Sequence, residues 1–118
     1  MVNWVNDTPR KKMSAEVMIT YTKKNRQLTF AFTAGTLAVK FGHAERIKVG
    51  FDEYGSRICF MGGDDGLKIN RAQNGTGRIR ILETRILPYI SPYELCGNYY
   101  LKKDEVEGYY YIPIGVKR

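Results

Sequence analysis

The sequence predicts a β-rich α+β fold: antiparallel strands and hairpins, one or two short helices, and a strand–helix–hairpin order that occurs twice. Three observations carry this. Short runs alternate apolar with polar residues, the period of a half-buried strand. Nine Tyr, five Phe and one Trp enrich the chain in side chains that suit a pleated sheet. The clearest helical spacing is confined to the short stretch between Thr33 and Gly42.

With 118 residues the chain has material for one core, and 43% hydrophobic residues suffice to fill it. The chain divides into a basic arm, residues 1–13, and a single domain, residues 14–118. The arm holds Trp4 and the cluster Pro9-Arg10-Lys11-Lys12 and shows no periodicity.

The first strand is read over Glu16–Thr22, where Val17, Ile19 and Tyr21 alternate with polar positions and Met18. The polar turn Lys23-Lys24-Asn25-Arg26 joins it to Gln27–Phe32, whose alternation sets Leu28, Phe30 and Phe32 on one face, so a hairpin is expected. The Thr33 hydroxyl is placed to cap a helix whose apolar face is Leu37, Ala38 and Phe41, and Gly42 stands where such a helix closes. His43, the sole histidine, follows the helix end and reads as a surface or capping residue.

Arg46–Phe51 alternates basic with apolar residues, Asp52–Ser56 is a tight turn, and Arg57–Met61 returns as the partner strand. Gly62–Gly66 is a turn whose Asp64 and Asp65 lack the further ligands and closing Glu of a calcium loop, so no metal is expected there. Leu67–Asn70 reads as one short strand. Residues 71–77 form a polar, glycine-rich loop with Asn74-Gly75 as its turn signal, and Arg78–Ile81 follows as a strand. Pro88 and Pro92 limit Glu83–Tyr93 to a turn or a single helical turn. A last hairpin is expected between Asn98–Lys102 and Gly108–Ile114.

The two halves share an order of elements. Leu28 and Phe30 align with Ile79 and Ile81, and Ile58 and Phe60 with Tyr110 and Ile112. Residues 27–61, a strand followed by a short helix, a glycine and a hairpin, resemble an AbrB/MazE-type swapped-hairpin unit. The resemblance implies a dimeric DNA-binding regulator. The family's DNA-contact residues do not carry over: Ala31 and Phe32 stand where a proline is expected, and Gly35 or Thr36 where the contacting arginine would be. In composition the chain also resembles small orphan proteins of phage, host-defence inhibitors among them.

Nineteen Lys and Arg against twelve Asp and Glu give a net charge of +7, a field that draws polyanions or acidic protein surfaces. No second histidine, nucleophile elbow or phosphate loop points to catalysis, so the chain reads as a non-enzyme without cofactor. The first expectation is nucleic-acid binding, DNA before RNA. Arg46 and Lys48 form a basic sheet face, and Lys68, Arg71, Arg78 and Arg80 belong to the loop 68–80, which inserts toward a groove or a single strand. Lys23, Lys24 and Arg26 add a basic turn. The alternative is a protein-interaction module, such as an inhibitor of a host nucleic-acid enzyme or defence complex, with Glu94, Asp104, Glu105 and Glu107 as its acidic patch. The absence of a signal-peptide core and of any membrane-length apolar run predicts a cytoplasmic protein, and Cys59 and Cys96 outside any CxxC read as reduced, buried thiols.

Overall fold

Alternation decides the layers. In β1 (Val17–Thr22), β2 (Gln27–Phe32) and β7 (Gly77–Leu82) the odd or even apolar set turns inward: Val17, Ile19, Leu28, Phe30, Phe32, Ile79 and Ile81 are all buried. In β3 (Arg46–Asp52), β4 (Arg57–Gly63) and β10 (Tyr110–Pro113) the same rule buries Ile47, Ile58, Phe60 and Ile112. The computed structural model describes residues 15–52 and 56–114. The basic arm read over residues 1–13 and the middle of the Asp52–Ser56 turn lie outside these.

The described strands form two five-stranded antiparallel sheets. The first has the order β6-β7-β2-β1-β8, where β6 is Asn70–Arg71 and β8 is Gly97–Tyr99. The second has the order β5-β3-β4-β10-β9, where β5 is Leu67–Lys68 and β9 is Lys102–Lys103. The sheets meet through one core, and its centre is aromatic. The Phe60 ring of the second sheet stands edge-on to Phe30 and Phe32 of the first, with centroids 5.8 and 5.5 Å away.

Helices close the two ends. Thr33 caps α1 (Ala34–Phe41) by accepting the Thr36 N–H, and Gly42 ends it in the left-handed conformation, as the sequence predicts. Leu37 and Phe41 enter the core beside Phe32 and Tyr110. At the other end of the first sheet, α2 (Glu83–Ile86) packs on β7 and α3 (Pro92–Leu95) on β1. Pro88 follows the end of α2, but Pro92 begins α3. At a first helical position its missing N–H leaves no bond unmade.

The α+β, strand-rich class holds; β4 runs on through Gly62 and Gly63, where the sequence predicts a turn, α2 and α3 replace the single helical turn, and two strands divide. Leu67–Asn70 is not one strand. Leu67 pairs with Ile47 in the second sheet, Asn70 pairs with Arg78 in the first, and buried Ile69 carries the chain between them. Asn98–Lys102 divides in the same way, with β8 beside β1, β9 beside β10, and buried Leu101 at the crossing. The last hairpin is therefore only β9 with β10. On the internal repeat, the aligned strands β2 and β7 pair at Thr29 and Arg80, and β4 and β10 at Cys59 and Tyr111. A duplication is not shown.

Candidate nucleic-acid interface

Register decides which cations share a surface. Arg78 and Arg80 are exposed, and they alternate with buried Ile79 and Ile81, so both project from the outer face of the first sheet, about 6.7 Å apart along the strand. Ala31 and Thr29 stand directly opposite them on β2, with Met18 and Thr20 beyond on β1 and Asn98 beyond Met18 on β8. Asn70 flanks Arg78 on the other side. None of these outward strand residues is acidic, and neither arginine forms an ion pair among the described residues.

The basic turn lies at one end of this face. Lys23, Lys24 and Arg26 are exposed; Arg26 has φ 55°, and its carbonyl accepts the Glu83 N–H at 2.8 Å. Because Gln27 pairs with Leu82, the turn and Arg80 occupy the same end of the sheet. Arg85 on α2, which the sequence reading passed over, is exposed near that end.

The other cations of the reading go elsewhere. Arg46 and Lys48 alternate with buried Ile47, so they project from the outer face of the second sheet, opposite to Arg78 and Arg80. Arg46 donates from Nη1 to the Gly66 carbonyl at 2.9 Å, and Lys48 reaches Asp65 at 3.6 Å. Lys68 is exposed and stands opposite Arg46 in the β3–β5 pair. Arg71 spans from β6 to the end of α1, where Nη2 donates to the Ala44 carbonyl at 2.8 Å. Arg57 pairs with Asp104, and its guanidinium lies 3.8 Å from the Tyr111 ring centroid. Of the nine candidate cations, Arg78 and Arg80 share the outer face of the first sheet with the Lys23–Arg26 turn at its end, Arg46, Lys48 and Lys68 belong to the second sheet, and Arg71 is held to Ala44. The 72–76 loop is a closed turn, in which Ala72 and Thr76 bond and Asn74 Oδ1 accepts the Thr76 N–H.

The remaining candidate residues take structural places. The His43 N–H donates to the Leu37 carbonyl at 3.1 Å, which completes the cap of α1. Cys59 and Cys96 are free and half-buried, and burial pushes both thiols up. Among the described residues, no three His, Cys, Asp or Glu converge as a metal would require, and no helix is long and apolar enough to cross a membrane. No family model, no curated protein and no solved structure matches the chain.

Proposed function

We propose that the chain is a small cytoplasmic nucleic-acid-binding protein, DNA-directed and without enzymatic activity, that contacts phosphates through the outer face of the first sheet. One observation carries the reading: Arg78 and Arg80 project side by side, unpaired among the described residues, from a sheet face whose outward strand positions include Thr20, Thr29, Asn70 and Asn98 beside Met18, Ala31 and Leu82 and hold no carboxylate. Arginine forks grip phosphate oxygens, and Thr20, Thr29 and Asn98 supply further polar groups of the kind that fix a backbone in place. The Lys23–Arg26 turn extends the positive path beyond the sheet end. The strand–helix–hairpin order that resembles an AbrB/MazE-type unit points the same way and implies a dimer. The loop over residues 71–77 takes no part in this reading, because Arg71 is held to Ala44.

The test is fluorescence anisotropy on duplex and single-stranded DNA over a salt series. Binding should weaken steeply with salt. An Arg78→Ala, Arg80→Ala double variant should reduce the log–log slope on duplex DNA by about 1.8, the share of two lost phosphate contacts, with its melting temperature unchanged. An unaltered slope in a folded double variant discards the face. The second reading, a protein-interaction module, draws on the exposed Glu105 and Glu107 in the β9–β10 turn.

A further inference from the structure

The edges of the two sheets leave a groove. β5 pairs with β3 only at Arg46 and Ile47, and β6 pairs with β7 only at Gly77 and Arg78. Past these points, among the described residues, no strand pairs with the outer edge of β3 at Val49–Phe51 or of β7 at Arg80–Leu82. Gly66 sets this limit. With φ 108° its backbone lies against the Ile47 carbonyl, and the chain then crosses to the first sheet through Ile69. The space left between the edges is a groove of about 830 Å³. Val49, Leu67 and Ile81 line it, together with the Phe51 and Tyr89 rings, which stack in parallel at 4.1 Å. Lys48, Arg80 and Arg85 bring three cations to its walls, and none of the lining residues is acidic.

We propose that this groove binds an extended acidic segment of a partner protein, added as a strand to the free edge of β3. An open edge presents main-chain donors and acceptors that another extended main chain completes. Alternate side chains of an added strand point to opposite faces. Apolar ones then meet Val49, Leu67 and Ile81, and carboxylates on the other side meet Lys48, while Arg80 and Arg85 line the far wall of the groove and add to its positive field. A nucleic acid fits less well. Its phosphodiester backbone has acceptors and no donors for the edge carbonyls. The Lys48–Asp65 pair is exposed on both sides and yields readily to a better-placed carboxylate. This inference stands apart from the phosphate-binding face; only Arg80 touches both.

The experiment uses the full chain and a fluorescein-labelled synthetic peptide of alternating valine and glutamate. The peptide should bind, and the amides of Val49–Phe51 should exchange more slowly with deuterium in the complex. The same peptide N-methylated at alternate amides should bind at least about 10-fold more weakly to the unaltered protein, since it cannot complete an edge. A Lys48→Glu, Arg85→Glu double variant should lose the glutamate peptide and prefer one of alternating valine and lysine. No binding at about 1 mM peptide, equal binding of the N-methylated peptide, or displacement of the peptide by an oligothymidylate that protects the same amides overturns the proposal.

Discussion

The Arg57 guanidinium donates to the Asp104 carboxylate at 2.8 Å, which ties the start of β4 to the turn after β9. The other carboxylate oxygen of Asp104 accepts the Val106 and Glu107 N–H groups, each at 2.9 Å. These bonds, the Glu107 N–H first and the Arg57 guanidinium second, hold the Asp104 carboxyl below the usual aspartate range. A depressed carboxyl stabilises the fold above its unfolded value, about 3.9, and loses that contribution as pH falls through the lower folded one. Asp104→Asn should therefore melt below the wild type at pH 7, and the gap should close as pH drops below about 4. A gap that stays constant from pH 7 to strong acid would show that the charge of Asp104 contributes nothing.

Much of this architecture is local and therefore legible. The alternation of Leu28, Phe30 and Phe32, the Thr33 cap and the Gly42 stop each concern residues a few positions apart, and each element stands where the spacing puts it. What the sequence hides is which sheet a strand joins. Leu67 and Ile69 alternate as they would in one strand, and so do Tyr99 and Leu101, but in each case the second residue is the crossing between layers. The same blindness shaped the expected site. Arg46 and Lys48 show the basic–apolar alternation of Arg78 and Arg80, and only the pairing of Lys48 with Met61 and of Arg80 with Thr29 reveals opposite faces. Arg85 carries no pattern of its own and becomes visible only through the place of α2.

Arg71 separates stability from binding. Its guanidinium bridges β6 to Ala44, next to the end of α1, so its removal costs a hydrogen bond at an exposed site, about 0.5–1 kcal/mol. Arg71→Ala should lower the melting temperature by a few degrees and leave the salt dependence of DNA binding untouched. The Arg78→Ala, Arg80→Ala variant should do the reverse. A fall in the salt slope for Arg71→Ala, measured by anisotropy beside a thermal melt, would restore the loop to the interface.

Gly66 is the position where one methyl group does most harm. A Cβ there would lie 2.5 Å from the Ile47 carbonyl oxygen and 2.7 Å from the Lys48 Cα, and φ 108° already disfavours any other residue. The atoms in the way are backbone of β3, at Ile47 and Lys48, and cannot swing aside. Gly66→Ala should cost roughly 2–4 kcal/mol in urea denaturation, against a total stability of about 5–15 kcal/mol for such domains. Gly50→Ala is the control. Nothing lies within 4 Å of its added methyl, so loss there should be less than about 1 kcal/mol. Equal losses at the two positions would show that strand propensity, not the close approach at Gly66, governs this edge.

Tyr21 joins the end of β1 to the start of α2. Its hydroxyl donates to Glu83 Oε1, and the Tyr93 ring stands edge-on at 4.9 Å. The bond to Glu83 is the chief reason that the Tyr21 phenol is pushed up to about 12, with partial desolvation and the Glu83 charge behind it. An unfolded tyrosine ionises near pH 10. A phenol raised in this way stabilises the fold fully below pH 10 and ceases to do so as pH climbs through about 12. The ultraviolet tyrosinate titration of the wild type minus that of Tyr21→Phe isolates one phenol among nine. That difference should stay flat through pH 10 and rise only toward pH 12, while the melting-temperature gap between the two proteins shrinks over the same window. A difference titration centred near pH 10 would mean that the Tyr21–Glu83 bond does not hold α2 to the sheet in solution.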